Sequence, residues 1–231
     1  MLVGSDYTLV YNVLSFGTAV MFGAFVYFLT QMKSVSKQYQ AGIAVSAIVV
    51  GIAGYHYYRI WSDFGEGVMN EGYRYADWLI TVPLLIVELL IVLGVAQKDR
   101  TSLMLKLVPA SILMIGLGYP GEVADGNGAK WTFWILALIP FAYILKTLYD
   151  ELQKAGQRET GAVAKQIKNA TYVLLSTWLV YPIAYLFPIF DANSEALETL
   201  RQVGYTFADI TSKCLYGCLL YTSPSPRDIG E

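Results

Sequence analysis

The chain has 231 residues, of which 55% are hydrophobic and 15% charged, and its formal net charge is −2 at pH 7. Soluble domains contain about 25% charged residues, so this composition favours a membrane protein over a soluble domain. The small negative charge suggests no nucleic-acid partner, the two cysteines imply no disulfide framework, and we predict no metal site.

Hydrophobic runs between short polar connectors predict an all-α membrane protein, a bundle of seven transmembrane helices of about 20–25 residues each. The first six helices cover about residues 6–32, 38–61, 73–96, 101–119, 130–152 and 160–187, and the seventh begins near Ser194. Of the connectors, 62–72 suggests a short hairpin, 120–128 is predicted to be a loop, and 154–159 leads into the sixth helix.

The two ends of the chain carry separate predictions. The start shows no signal-peptide pattern, with Asp6 as its first charge. Residues 1–217 are assigned to one helical domain. Residues 218–231 contain the run Cys-Leu-Leu-Tyr-Thr-Ser-Pro-Ser-Pro-Arg-Asp, which resembles a translated sequencing adapter. We interpret them as a non-native tail whose apolar start completes the last helix; an ordinary proline-rich tail is the alternative.

Basic residues are unevenly divided between the two sides of the predicted bundle. One side holds the first, third and fifth connectors, and its basic residues are Lys33, Lys37, Lys98, Arg100, Lys106, Lys146, Lys154, Arg158, Lys165 and Lys168. The other side holds Arg59, Arg74, Lys130 and Arg201. Because basic connectors stay in the cytoplasm, the first side is predicted to be cytoplasmic and the N-terminus extracellular.

The third predicted helix carries Arg74 and two acids, Asp77 and Glu88, within an apolar run. A charge in hydrocarbon costs about 2.5–3.5 kcal/mol by insertion scales, so such residues indicate a function. Thr81 follows Asp77 by one turn. Glu88 follows Asp77 by three turns, on the same face and about 16 Å along the axis. Two acids at different depths, with a hydroxyl beside the first, are typical of a proton path.

The seventh predicted helix carries a lysine, Lys213, one turn after Asp209. An amine in an apolar pocket is suited to Schiff-base formation. Asp209 can stabilise the resulting cation, and Asp77 can supply a second carboxylate. For the pair Asp209–Lys213 taken alone, a structural salt bridge is the alternative interpretation.

These residues resemble the microbial (type 1) rhodopsins, and most closely their proteorhodopsin and xanthorhodopsin branch of proton pumps. The resemblance covers nearly the whole chain up to Gly217. It is carried first by Arg74-Tyr75-Ala76-Asp77-Trp78-Leu79-Ile80-Thr81-Val82-Pro83, by Glu88, and by Asp209 with Lys213. Further matches are Met114-Ile115-Gly116, Gly118, Trp134, Trp178, Tyr181, Pro182 and Tyr185.

The resemblance implies that Lys213 binds all-trans retinal covalently as a protonated Schiff base. Asp77 would be its primary counterion and proton acceptor, hydrogen-bonded to Thr81. Asp209 would be the second counterion, held by Tyr57 and Tyr181. Arg74 would shape the side of the bundle where the proton leaves. Glu88 would return a proton to the Schiff base from the cytoplasmic side. The remaining retinal-pocket residues would be Trp78, Leu85, Met114, Gly118, Trp134, Trp178, Pro182 and Tyr185.

Four further expectations follow from the resemblance. His56 would interact with Asp77, within one protomer or across the interface of a homo-oligomer, a trimer to a hexamer. Trp134 stands where carotenoid-binding relatives have glycine, so we expect no carotenoid antenna. Arg201 occupies the position of one of the two glutamates that release the proton in bacteriorhodopsin. Its presence argues against early proton release by such a pair of glutamates. Leu85 occupies the colour-tuning place and predicts green absorption.

The leading functional hypothesis is an outward light-driven proton pump in the bacterial plasma membrane, crossing the lipid bilayer several times. Asp77, Thr81 and Glu88 match neither the sodium-pump nor the chloride-pump pattern. A sensory rhodopsin that signals through a partner is the alternative, although sensors often lack the donor acid that Glu88 provides. A membrane enzyme that uses Lys213 as a catalytic amine is a third class, but the sequence shows no polar substrate cleft.

Overall fold

The chain is almost entirely helical in the computed structural model, which describes residues 2–35, 37–158 and 161–221. No β-strand occurs in these described ranges. The helices are α1 (Gly4–Gln31), α2 (Lys37–Gly65), α3 (Glu71–Val92), α4 (Gln97–Glu122), α5 (Asn127–Arg158), α6 (Gly161–Trp178), α7 (Val180–Tyr185), α8 (Phe187–Phe190), α9 (Glu195–Asp209) and α10 (Tyr216–Tyr221), with a π-helical segment (Ile210–Leu215) between α9 and α10.

These elements form seven spans. The first five are α1 to α5, the sixth is α6 to α8, and the seventh is α9, the π segment and α10. In the described part of the chain, six helical stretches are long and apolar enough to cross a membrane, and they correspond to the first six spans. The seventh is more polar because it contains Arg201, Asp209 and Lys213. Consecutive spans pack side by side, and α9 closes the ring against α1 and α7.

Several predicted boundaries are wrong at helix ends. The expected hairpin at 62–72 does not form, because α2 continues to Gly65 and α3 already begins at Glu71. Asn70 caps α3 by accepting a hydrogen bond from Gly72 N at 3.1 Å, which satisfies one of the free N–H groups of the first turn. The loop predicted at 120–128 is shorter, because α4 extends to Glu122 and α5 begins at Asn127.

The sixth span is broken rather than continuous. The α-helical hydrogen-bond pattern is interrupted at Leu179 and again at Leu186, between the helices α6, α7 and α8. Each break lies a few residues before a proline, Pro182 or Pro188, whose ring nitrogen cannot donate the i to i−4 hydrogen bond. The predicted proline inside this helix therefore divides it. The predicted end of the connector, Glu159, and the predicted start of the sixth helix, Thr160, lie outside the described ranges.

The seventh span continues into the apolar start of the proposed tail. The helix α10 runs to Tyr221, and Leu220 is buried. Residues 222–231 lie outside the described residues, so the interpretation of 218–231 as non-native stays a prediction. Within the same span, the π segment inserts a wider turn at the position of Lys213, a feature that often marks functional sites.

Candidate functional site

The centre of the bundle holds a lysine between two carboxylates. Lys213 Nζ lies 2.6 Å from Asp77 Oδ2 and 2.7 Å from Asp209 Oδ1, and all three side chains are at most 1% exposed. Asp77 belongs to α3, Asp209 ends α9, and Lys213 follows one turn later in the π segment. A buried cation of this kind is stable only with such partners, because removal from water costs several kcal/mol per ion.

The two carboxylates differ in how completely their oxygens are hydrogen-bonded. Asp209 accepts from Tyr57 Oη at 2.7 Å, from Tyr181 Oη at 2.8 Å and from Trp78 Nε1 at 3.1 Å, besides Lys213. Donors to both oxygens stabilise Asp209 in its charged form.

Asp77 makes fewer bonds. Its Oδ2 pairs with Lys213, and its buried Oδ1 has no hydrogen-bond partner among the described residues. Thr81 does bond to Asp77, at 2.9 Å, but it donates to the backbone carbonyl and not to the carboxylate. Asp77 therefore keeps an oxygen that can take up a proton, whereas the oxygens of Asp209 are already engaged.

Arg74 links this centre to the N-terminal end of α3. Its guanidinium donates to Tyr57 Oη at 3.1 Å, to Gln202 Oε1 at 2.7 Å and to Glu71 Oε2 at 3.1 Å, and it lies 3.8 Å from Asp209 Oδ2. All of its nitrogens are thus paired, which accounts for its nearly complete burial.

A second charged cluster, which sequence reasoning missed, surrounds Arg201. Its guanidinium pairs with Glu198 at 2.8 Å, with Glu71 at 3.5 Å and directly with Glu122. Glu122 also accepts from Tyr75 Oη at 3.0 Å, so the cluster reaches the side chains next to Trp78. The sequence signal for this cluster is the spacing of three residues within Glu71–Arg74 and within Glu198–Arg201. Glu122 carries no such signal, because it lies at the end of a helix distant in sequence.

An apolar cavity opens beside Lys213, and the space between its walls that holds no protein atoms measures about 770 Å³, its open side included. All predicted pocket residues except Tyr57 line it, and Tyr57 acts through its bond to Asp209. The walls that the sequence predicted are Trp78, Leu85, Met114, Gly118, Trp134, Trp178, Tyr181, Pro182, Tyr185 and Lys213. The walls that it missed are Tyr75, Val82, Ile115, Ala137, Leu138, Phe141, Tyr205 and Ser212.

The cavity fits a long apolar ligand attached to Lys213. Its walls are mainly aromatic and aliphatic, and the polar groups lie next to the lysine, as ligand pockets usually arrange them. At Gly118 a Cβ would come within 3.2 Å of the Tyr75 ring, so glycine lets that ring form the wall. Trp134 is fixed by donating from Nε1 to Pro182 O at 2.9 Å. The residues present therefore suit a polyene such as retinal.

Glu88 lies on the opposite side of Lys213 from Arg74. Its carboxyl is fully buried and accepts a hydrogen bond from the Ser46 hydroxyl of α2. Ser46 is a site residue that the sequence analysis did not identify, because a small hydroxyl in an apolar helix carries no pattern of its own.

His56 is not hydrogen-bonded to Asp77 in the described structure. Its Nδ1 lies 3.0 Å from Ile52 O, one turn earlier in α2, and the ring contacts Tyr55 edge-on. The interaction of His56 with Asp77 stays a prediction.

Comparison with known proteins places these residues in a familiar context. Residues 9–224 match the family model described as "Bacteriorhodopsin-like protein". The green-light absorbing proteorhodopsin of Gamma-proteobacterium EBAC31A08 is 31% identical over 208 residues, covering 88% of this chain and 82% of that protein. Archaerhodopsin-3 of Halorubrum sodomense is 30% identical over 221 residues, covering 91% and 83%.

Two solved structures are similar over nearly their whole length. Xanthorhodopsin, described as a light-driven ion pump with dual chromophore, is 40% identical, has a TM-score of 0.88, and is matched over 94% of this chain and 92% of its own. A thermophilic rhodopsin is 39% identical with a TM-score of 0.88, over 94% and 93%.

Proposed function

The chain belongs to the bacteriorhodopsin-like family of microbial rhodopsins, and we propose that it is a light-driven proton pump that moves protons out of the cell. Family membership confirms two predictions: the cofactor is retinal, bound through a Schiff base, and the protein is a multi-pass bacterial membrane protein. Lys213 is the amine that supports this attachment, since it is buried and lines the apolar cavity.

The observation that carries the proposal is the unequal pair of carboxylates at Lys213 Nζ. Asp209 is saturated by Tyr57, Tyr181 and Trp78, whereas Asp77 Oδ1 has no partner in the described ranges. Retinal held on Lys213 in this cavity would supply a light-driven isomerisation next to the two carboxylates. Asp77 is then the carboxylate able to accept the proton on the lysine nitrogen, and Asp209 remains charged beside the nitrogen.

Glu88 resupplies the proton from the other side. A donor must hold its proton in the dark, and a fully buried carboxyl in apolar surroundings is costly to ionise. Glu88 follows Asp77 by three helical turns, so acceptor and donor are separated by about 16 Å along α3. This separation supports transport across the bundle, because the two acids lie on opposite sides of the lysine nitrogen.

The direction rests on the basic residues at the two ends of the bundle. The connectors nearest Glu88 carry most of the lysines and arginines, which favours a cytoplasmic location for that end. Asp77, Arg74 and the Arg201 cluster then face the exterior. A proton accepted by Asp77 leaves on that side.

Three properties of the proposed pump concern partners and colour. We expect a homo-oligomer, with His56 interacting with Asp77 within a protomer or across its interface. We expect no carotenoid antenna, since Trp134 fills the position that must be open for one, and we expect green absorption from Leu85. If His56→Asn leaves the pH titration of Asp77 unchanged, His56 does not interact with Asp77.

The proposal is tested in cells that express the chain with retinal supplied. Illumination should acidify the external medium, a protonophore should cancel the signal, and Asp77→Asn should remove it. Asp125→Asn, the same change at an exposed aspartate, should leave it intact. Alkalinisation of the medium would overturn the direction. A normal visible band without any pH change would favour the sensory alternative.

A further inference from the structure

The Glu88 side of the bundle contains a buried hydroxyl that the proposed function does not use. Tyr216 is the first residue of α10, is fully buried, and its Oη has no hydrogen-bond partner among the described residues. An unsatisfied buried polar group costs about 1–3 kcal/mol, so a buried hydroxyl of this kind calls for a partner such as a bound water or a group that acts during the proton transfer.

The position of Tyr216 in the seventh span gives it a depth in the bundle between those of the lysine and the proposed donor. It follows Lys213 by three residues, about 4–5 Å along the axis. The third and seventh spans run in the same direction through the bundle, and Glu88 lies about 16 Å beyond the level of Asp77 and Lys213. The Glu88 carboxyl is near enough to the Tyr216 hydroxyl for the two groups to interact electrostatically.

The distance between donor and lysine is too long for a direct transfer. Hydrogen bonds span about 3 Å, so a proton from Glu88 needs intermediate groups or water molecules. Buried water needs two to four polar partners. Other hydroxyls in this part of the bundle are already engaged: Ser46 with Glu88, Ser212 with Tyr181, Thr81 with Asp77 O, and Thr171 with Ile167 O. Tyr216 Oη can both accept and donate a hydrogen bond.

We propose that the Tyr216 hydroxyl is a relay on the route by which Glu88 resupplies the proton to the Lys213 nitrogen. Water bound at Tyr216 Oη connects it toward Glu88 on one side and toward Lys213 on the other. In the transfer the Tyr216 oxygen takes a proton from the Glu88 side and gives its own to the Lys213 side. After the transfer Glu88 has lost one proton, the lysine nitrogen has gained one, and the tyrosine is unchanged. This inference rests on the proposed role of Glu88 as donor.

The test removes only the hydroxyl, with Tyr216→Phe. Flash spectroscopy should show the lysine nitrogen losing its proton at the normal rate and regaining it about five-fold more slowly, the change expected for one lost hydrogen bond. The infrared carbonyl band of Glu88 in the dark, measured without illumination, should also move. Tyr149→Phe, which removes an exposed hydroxyl from α5, should change neither quantity.

The outcomes separate this inference from the proposed function. If Glu88→Gln slows the recovery but Tyr216→Phe leaves both the recovery and the Glu88 band unchanged, the relay is wrong and the donor role stands. If Glu88→Gln itself leaves the recovery unchanged, the donor role fails, and the relay fails with it. A dark visible band of normal position in Tyr216→Phe shows that the variant has folded and bound retinal.

Discussion

The two halves of the bundle, on either side of Lys213, hold their polar groups in opposite ways. The Arg74 half contains one connected network of Arg74, Glu71, Gln202, Arg201, Glu122 and Glu198. In the Glu88 half, the buried charged side chains of the described residues are Glu88 and, at the very end, Glu151 paired with Lys154. Between Glu88 and the lysine the walls are apolar apart from a few hydroxyls.

This difference indicates that the two proton transfers depend on different physical conditions. On the Arg74 side, charged groups and hydrogen bonds are in place in the dark, so a proton that reaches Asp77 meets polar partners at once. On the Glu88 side, the described residues supply few buried charged groups, so resupply depends on hydroxyls such as that of Tyr216 and on water bound to them. The two halves should therefore respond differently to single substitutions.

Lys213→Ala removes the cation that joins the two halves and the amine that holds retinal. We expect no visible band at all when the variant is mixed with retinal. Lys130→Ala, a lysine at the end of the bundle, should still form the pigment. A visible band in Lys213→Ala that hydroxylamine bleaches under light would show that the cofactor is attached elsewhere.

Asp77→Asn removes the acceptor but leaves Asp209 with its hydrogen bonds from Tyr57, Tyr181, Trp78 and Lys213 in place. Transport should fall by at least about 100-fold, the usual contribution of a positioned acid or base. The visible band should move to longer wavelength, because a negative charge near the lysine nitrogen is lost. Absorption spectra and light-induced pH changes measure both effects. Normal transport by this variant would rule out Asp77 as acceptor.

Glu88→Gln removes the donor from the Glu88 half and leaves a side chain of nearly the same shape. The lysine nitrogen should still lose its proton at the normal rate but regain it about 100-fold more slowly. Flash spectroscopy separates the two rates. The exposed Glu195→Gln is the matched control and should behave as the unmodified protein. An unchanged recovery would remove Glu88 as donor.

Arg201→Gln leaves Glu71, Glu122 and Glu198 close together without their shared cation. Removing one member of a buried ion cluster costs about 3–5 kcal/mol, so the pigment should bleach at a lower temperature than the unmodified protein. Arg59→Gln is the control, since Arg59 donates to Tyr55 and Tyr73 and forms no ion pair within 4 Å among the described residues. Equal bleaching temperatures for the two variants would show that the Arg201 cluster adds little stability.

Leu85→Gln places an amide in the wall of the cavity and should have the smallest effect. We expect a visible band at shorter wavelength with transport retained, because the change alters the surroundings of the chromophore and not the acids. An absorption spectrum decides this, and an unmoved band would remove Leu85 as the colour-determining position.

The sequence predicted best those parts of the site that lie one or several turns apart on a single helix. Asp209 and Lys213 share one turn, and Arg74, Asp77 and Glu88 share the third span, so helical spacing was enough to relate them. The pairing of Asp77 with Lys213 was also predicted, because buried charges need partners.

The parts that were missed depend on contacts between distant segments. Glu122 reaches Arg201 only because α4 continues through Pro120, where the sequence predicts the start of a loop. The bond from Ser46 to Glu88 and the isolated hydroxyl of Tyr216 have no sequence signal, since they depend on how the second and seventh spans pack. Helix ends were misplaced for a similar reason: local capping by Asn70 and the continuation of α2 decided them.

The measurement closest to the central claim is time-resolved infrared spectroscopy of the pigment, with Asp77→Glu used to assign the carboxyl bands. We expect a protonated-carboxyl band to appear as the lysine nitrogen loses its proton, and this band to shift in Asp77→Glu. A band that does not shift in Asp77→Glu but disappears in Asp209→Asn would rule out Asp77 as the acceptor, because the saturated carboxylate Asp209 would then take the proton.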